Sequence, residues 1–396
     1  MKRRASHTQT YPWHEGNAFE ILKDGEAFYP AMLAAINQAR HTILFEFYLM
    51  ESGVISDRFI DALLAAAERG VRVYVLLDDM GSSLLKPADR RRLQHHHLQL
   101  YIYNPIHWRK VLANMYRDHR KQLTIDGQLT FTGGMGISDL FSKEIKATEA
   151  WRETALAIRG PVVGDWQQAF VENWQHWHDR ELRLPPAQNT PQSLPMRGRV
   201  VMTIGGQQQA LKHSLIQAVR SAQRRIWITT AYFLPSRKLR RELRRADQRG
   251  VDVRLLLPGA KTDHPASRYV GRRFYHRLLR DGVRIFEYQP RFLHVKQAIC
   301  DDWVSIGSAN YDRWSMRLSL EANQEIDDAR ISLQACELFL DDIGESEEIL
   351  FAHWLQRPLH QRLQEVFWGW IDHLLESLHH WRKLERRNPF RRRPPP

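Results

Sequence analysis

Two stretches of this 396-residue chain, Ala31 to Leu77 and Leu211 to Leu257, follow one design: an apolar-periodic helix, a strand, a second helix and another strand. In the first copy Ala39-Arg40-His41-Thr42-Ile43 leads into Leu44-Phe45-Glu46-Phe47-Tyr48; in the second, Ala222-Gln223-Arg224-Arg225-Ile226 leads into Trp227-Ile228-Thr229-Thr230-Ala231-Tyr232-Phe233. Each second helix stops at Arg-Gly, Arg69-Gly70 and Arg249-Gly250, where glycine takes the left-handed backbone that ends a helix. The runs that follow, Val71 to Leu77 and Val251 to Leu257, are short, branched and apolar, as buried parallel strands are. A further strand is expected in each copy, Leu98 to Tyr103 and Val283 to Tyr288, with Pro105 and Pro290 shortly after. The chain therefore reads as α/β in two similar halves. Residues from about 180 to 198 carry Pro185, Pro186, Pro191 and Pro195 among polar residues and read as the linker between them.

The repeat carries a second pair of matched segments. His119-Arg120-Lys121-Gln122-Leu123-Thr124-Ile125-Asp126-Gly127 is followed by Gly133-Gly134-Met135-Gly136, and His294-Val295-Lys296-Gln297-Ala298-Ile299-Cys300-Asp301-Asp302 by Gly307-Ser308-Ala309-Asn310. One His-x-Lys-x4-Asp triplet arises by chance at roughly 10⁻⁴ per starting position, so a single copy says little. Two copies at equivalent places in a repeat say much more. Each is expected to form a hairpin, with Asp126-Gly127 as a two-residue turn signal. Residues two apart on a strand share a face, so His119 with Lys121, and His294 with Lys296, project together. If the halves pack about a pseudo-twofold axis, both pairs converge on one pocket that suits a phosphodiester. One imidazole then attacks phosphorus while the other protonates the leaving alkoxide and later deprotonates the incoming hydroxyl. The lysines stabilise charge on the non-bridging oxygens, and backbone amides after Gly133-Gly134 and Gly307-Ser308 add donors if those turns open helices. The aspartates, Asp126 and either Asp301 or Asp302, are expected to orient the imidazoles. This chemistry needs no metal and no cofactor.

Composition narrows the partners. A formal net charge of +13 and a pI near 9.8 favour anionic ones: nucleic acid, anionic lipid or a phosphorylated small substrate. Cys300 and Cys336 have no metal-ligand spacing and form no disulfide framework, which favours a reducing compartment. The residues after Met1-Lys2-Arg3-Arg4 are polar rather than apolar, unlike a signal peptide, and nowhere do roughly 18 or more apolar residues run together as a bilayer-spanning helix requires. The 13 tryptophans are many for such a chain, and a membrane interface would employ some of them.

The paired motifs resemble the phospholipase D superfamily, and more narrowly the bacterial cardiolipin synthases of the B type. The resemblance runs over about residues 15 to 358 and takes in Trp151-Arg152-Glu153-Thr154, Arg159-Gly160-Pro161, Ala231-Tyr232-Phe233-Leu234-Pro235 and Leu320-Glu321-Ala322-Asn323. It implies two α/β sandwich halves related by a pseudo-twofold axis, over 15–180 and 199–358. It also implies a transferase that moves a phosphatidyl group between two phosphatidylglycerol molecules and releases glycerol. His119, Lys121, Asp126, His294, Lys296 and Asp301 would be catalytic, and Gly134, Glu153, Ser308, Asn310 and Glu321 would bind substrate. Two positions depart from the pattern: Gly136 stands where an Asn is expected, and the second hairpin is one residue short between Asp301 and Gly307.

From Leu363, an apolar stripe of Val366, Phe367, Trp370, Ile371, Leu374, Leu378 and Trp381 reads as an amphipathic helix, followed by a basic run from Arg382 to Arg393. Residues 359–396 are thus expected to be a helical extension and tail suited to an anionic membrane surface. The segment Ile106 to Asp118, with His107, Trp108, Arg109, Lys110, Met115 and Tyr116, mixes aromatic and basic residues and suits either lipid or stacked bases. The expected location is peripheral, on the cytoplasmic face of a bacterial membrane, with phosphatidylglycerol and the bilayer as partners, nucleic acid disfavoured and no obligate protein partner. Competing readings are a hydrolase releasing phosphatidic acid, a nuclease or phosphodiesterase using the same motifs, and a non-catalytic lipid-binding relic.

Overall fold

The computed structural model describes residues 10–359 other than 95–96, 110–112, 178–181, 188–191, 193–194, 205–208 and 313–318, and beyond them only 364 and 368. The amphipathic stripe and basic run that begin at Leu363 lie outside the described residues, as does Lys110.

Sixteen strands of the described residues form one sheet. The first half supplies β1 (His14–Lys23), β2 (Thr42–Phe47), β3 (Arg72–Asp78), β4 (Leu98–Tyr103), β5 (Arg117–Asp118), β6 (Lys121–Ile125), β7 (Leu129–Gly133) and β8 (Thr154–Arg159). The second supplies β9 (Met196–Ile204), β10 (Arg225–Thr230), β11 (Asp252–Pro258), β12 (Arg284–Tyr288), β13 (Lys296–Cys300), β14 (Trp303–Gly307), β15 (Ser319–Asp327) and β16 (Ser346–Glu348). Strand β9 begins inside the proline-bearing stretch that reads as a linker. Outward from the central β1–β9 pair the order is β8, β7, β6, β2, β3, β4 on one side and β15, β14, β13, β10, β11, β12, β16 on the other. Up to β4 and β12 the two sides match strand for strand, which is the arrangement of a dyad. The α/β reading of both halves is therefore correct.

Apolar periodicity places the helices on this sheet. Gly25–Gln38 and Val54–Glu68 close one core over β2 and β3, and Ala210–Ser221 and Arg237–Gln248 close another over β10 and β11. A third core joins the halves: Trp166 and Ala169 of helix Val163–Trp177 and Ile331, Ala335 and Phe339 of helix Ala329–Gly344 pack with β8, β9 and β14. The matched helix stops have matched geometry. Gly70 and Gly250 adopt φ of +88° and +85°, and the next amides, Val71 and Val251, each donate to a carbonyl five residues back at 3.1 Å.

The two motif hairpins are fixed at their turns. Asp126 and Gly127 both have positive φ, +53° and +63°, and Gln128 N–H bonds Ile125 O at 2.9 Å, the geometry of a type I′ turn. The Asp126 carboxylate accepts the amides of Arg40, His41 and Thr42 at 2.9, 2.7 and 2.7 Å. Asp301, also at φ +53°, does the same for Gln223, Arg224 and Arg225 at 2.8, 2.9 and 3.0 Å. Each aspartate thus clamps its hairpin to the start of β2 or β10 and satisfies amides that no ladder reaches. Although partial burial opposes its charge, the three donors hold the Asp301 carboxyl below the usual aspartate range. A group held low contributes stability above its unfolded pKa and loses that contribution as pH falls through its folded value. Asp301→Ala is therefore expected to lower stability by about 1–3 kcal/mol near neutral pH, with the gap to the unsubstituted chain closing below pH ~4. Denaturant titration at the two pH values checks this.

Candidate active site

Strand pairing brings each lysine to the carboxyl end of a parallel strand. β6 runs antiparallel to β2 with Lys121 opposite Phe47, and β13 antiparallel to β10 with Lys296 opposite Thr230. Each histidine stands two residues earlier. Both lysines are buried and fold back on their own motif: Lys121 Nζ donates to His119 O at 2.6 Å, and Lys296 Nζ to His294 O. Lys296 Nζ also lies 2.9 and 3.0 Å from the two ring nitrogens of His294, so its charge presses on the ring.

Each histidine is held by the other half. The His119 amide donates to Leu320 O at 2.9 Å, its Nδ1 faces Glu321 Oε2 at 3.0 Å, and β5 runs parallel to β15 beside it. The His294 amide donates to Arg152 O at 2.8 Å, and its Nδ1 faces Glu153 Oε2 at 2.6 Å. Both glutamates are fully buried. Glu321 also accepts from Ser308 Oγ at 2.5 Å, while Glu153 Oε1 accepts from the Thr154 amide at 2.9 Å and Glu153 Oε2 lies 3.6 Å from Lys296 Nζ. Behind Glu153, its own amide donates to Asp24 Oδ1 at 3.1 Å, and Asp24 pairs with Arg291 at 2.5 Å. Arg152, on the same segment, pairs with Asp342 at 2.9 Å.

Electrostatics tie the groups into one site. Burial, then the charges of Lys121 and Lys296, hold His119 well below the ordinary imidazole range. Burial and Lys296 pull His294 down to about 4. Burial also draws Lys121 down to about 7 against the attraction of Glu321, and lowers Lys296. Glu321 is pushed up to about 8 by burial, against the pull of Lys121 and Lys296. Each lysine feels both glutamates, so the four His and Lys positions of the two motifs share one pocket. The surroundings differ. His119 keeps 18% side-chain exposure and meets the Tyr48 ring at 4.7 Å. His294 keeps 9% and is boxed by Trp151, Phe292 and Phe141 with centroids at 5.1, 5.6 and 5.7 Å.

The expected role of the aspartates is corrected by this geometry. Asp126 and Asp301 sit at the far ends of five-residue strands and bind backbone amides, while Glu153 and Glu321 take the imidazoles. Those two glutamates are thus partners of the histidines rather than plain substrate contacts. Asp301, not Asp302, corresponds to Asp126; Asp302 pairs with Arg224 at 2.7 Å. No helix opens at Gly134 or Ser308 among the described residues; the first helical turn after Gly134 begins at Asp139. At Gly134 a side chain would collide with the Glu153 carboxylate, and at the matching place Ser308 bonds Glu321 instead. Asn310 is buried, and neither its Oδ1 nor Glu321 Oε1 has a hydrogen-bond partner among the described residues. Gly136, where the second Asn is expected, lies against Leu49, which fills that space. The aromatic residues around His294, and Tyr48 beside His119, have no signal in the motif spacing.

Comparison with known proteins agrees with this architecture. The family model described as cardiolipin synthase, PLD-like domain, matches residues 32–174 and 215–343. A cardiolipin synthase A of Pseudomonas putida is 33% identical over 344 residues, 85% of this chain and 70% of the relative. A probable cardiolipin synthase of Bacillus subtilis is 29% identical over 88% of this chain and 70% of its own length. Among solved structures, a phosphatidylserine synthase of Haemophilus influenzae superimposes with a TM-score of 0.64 at 16% identity, over 91% of this chain and 94% of that one, a likeness of fold. With both motifs gathered in one pocket and both halves matched by the family model, the chain belongs to the cardiolipin synthase family of phospholipase D-like phosphatidyltransferases.

Proposed function

We propose that the chain makes cardiolipin from two phosphatidylglycerol molecules through a covalent phosphohistidine. The observation that carries this reading is the crossed pair of His–Lys–Glu groups in one buried pocket. With Nδ1–H donated to Glu321, His119 Nε2 keeps a lone pair for attack on phosphorus. Its greater exposure favours it over the boxed His294 as nucleophile. The P–O bond to the first glycerol breaks, and His294 gives that oxygen its proton. The hydroxyl of a second phosphatidylglycerol then loses its proton to His294 and attacks phosphorus, the P–N bond breaks, and cardiolipin leaves. Lys121 and Lys296 balance the charge on the non-bridging oxygens throughout, and no step assigns a role to a metal or cofactor.

A lipid donor whose acyl chains stay in the bilayer requires the pocket mouth to meet that bilayer. Met80, Leu84, Ile106, Trp108 and Met115 are exposed on the loops that follow β3 and β4, at the sheet end where His119 stands; Leu84 is 67% and Trp108 75% exposed. Lys86 and Arg109 lie among them, with Arg109 over the Trp108 ring at 4.5 Å. This mixture suits peripheral binding to an anionic surface on the cytoplasmic face. A Leu84→Ser, Trp108→Ser chain is expected to lose retention on phosphatidylglycerol vesicles in co-sedimentation while still turning over a soluble short-chain substrate.

Labelled phosphatidylglycerol in mixed micelles, without added metal, tests the reaction. Cardiolipin plus glycerol is expected, abolished in a His119→Ala, His294→Ala double variant. Phosphatidic acid alone would make the chain a hydrolase; inertness toward lipid with cleavage of DNA would make it a nuclease. Glu153→Gln and Glu321→Gln are each expected to lower kcat on the order of 10²–10⁴-fold, as loss of the group that fixes a histidine tautomer does. Lys121 is charged below its pKa of about 7 and neutral above it. The kcat/KM of the free enzyme should therefore fall as pH rises through 7 and persist on the acid side, where His119 stays neutral. A pH profile on the short-chain substrate checks both limbs.

A further inference from the structure

Both glycerols of this reaction, the one that leaves and the one that attacks, bring their reacting oxygen to the same acid/base histidine. The wall beside His294 therefore holds a glycerol headgroup twice per turnover. Phe292 lies 5.6 Å from His294 between ring centroids, and Tyr232 lies 6.5 Å from Phe292. The Tyr232 hydroxyl donates to Asp263 Oδ2 at 2.5 Å, and His264 Nε2 lies 3.7 Å from the same carboxylate. Asp263 stands in the loop between β11 and the helix Pro265–Arg272, keeps 21% side-chain exposure, and acts electrostatically on both His294 and Lys296. Its carboxylate thus stands at the end of an aromatic wall that runs from His294 through Phe292 to Tyr232, with Oδ1 as a further acceptor.

We propose that Asp263 and Tyr232 form a polyol subsite that accepts hydrogen bonds from the hydroxyls of a glycerol headgroup, so that the transferred group is delivered to glycerol rather than to water or a simple alcohol. This rests on the transferase reading above. The acceptor's primary hydroxyl faces His294, and the neighbouring secondary hydroxyl donates to Asp263. A monohydric alcohol lacks the second hydroxyl and gains nothing from the carboxylate, which is how a polar subsite discriminates.

The full chain is given phosphatidylglycerol in mixed micelles together with labelled glycerol and labelled ethanol, and the ratio of the two transfer products is measured alongside phosphatidic acid. For Asp263→Ala the glycerol-to-ethanol ratio is expected to fall roughly 10–100-fold, as loss of a hydrogen bond to a charged group does, and the share of phosphatidic acid to rise. Tyr232→Phe is expected to shift the ratio the same way by less. Asp263→Asn, which keeps the side chain's size, covers the case in which the alanine variant fails to fold. A ratio that stays the same in these variants, whether total turnover is kept or all products fall together, overturns the subsite and leaves the transferase standing. Failure of the unsubstituted chain to transfer to any alcohol removes both.

Discussion

The contact on which everything else depends is the crossed pairing of carboxylate and imidazole: Glu321 of the second half on His119 of the first, and Glu153 of the first on His294 of the second. A carboxylate with no exposure is costly to bury unless it is paired and hydrogen-bonded. Here each has an imidazole, a further hydrogen-bond donor and a nearby lysine. The β1–β9 pair and the core shared by helices Val163–Trp177 and Ala329–Gly344 set the two halves at the distance this pairing demands. The seam of the fold and the orientation of the catalytic candidates are thus one constraint.

The same crowding sets the chemistry. Six ionisable side chains in one buried pocket cannot all carry their ordinary charge. The imidazoles are pushed toward neutrality, both lysines toward release of their protons and Glu321 toward retention of one. In the proposed reaction an anionic phosphodiester entering between Lys121 and Lys296 would relieve that imbalance, and by stabilising positive charge it would favour the protonated imidazole that general acid catalysis requires. The fold has already borne the desolvation of these groups, so little reorganisation is left for the reaction itself.

Much of this was legible in the sequence. The repeat, the Arg-Gly helix stops and the strands at Leu98–Tyr103 and Val283–Tyr288 follow from periodicity and backbone preference, which act over a few residues. The convergence of His119, Lys121, His294 and Lys296 followed from one motif occurring twice. Strand geometry argues against an aspartate contact with the imidazole of its own motif: an extended run from His119 to Asp126 spans about 23 Å at ~3.3 Å per residue. Glu153 and Glu321 could be flagged as site residues only through family resemblance, and their role was hidden because each meets a histidine on the other half of the chain. Such contacts leave no local period. The difference between the aromatic box at His294 and the Tyr48 contact at His119 is likewise a product of packing, invisible while the two motifs read as equals.

The crossing of the glutamates also bears on synthesis. While the chain is leaving the ribosome, its first half carries His119 and Lys121 but not the carboxylate that holds this imidazole, and it carries Glu153 with no histidine to serve. His119 can be set in place only after Glu321, near the end of the second half, has emerged and β15 has joined β5 and β9. A site divided between the halves in this way is assembled only once translation has delivered both.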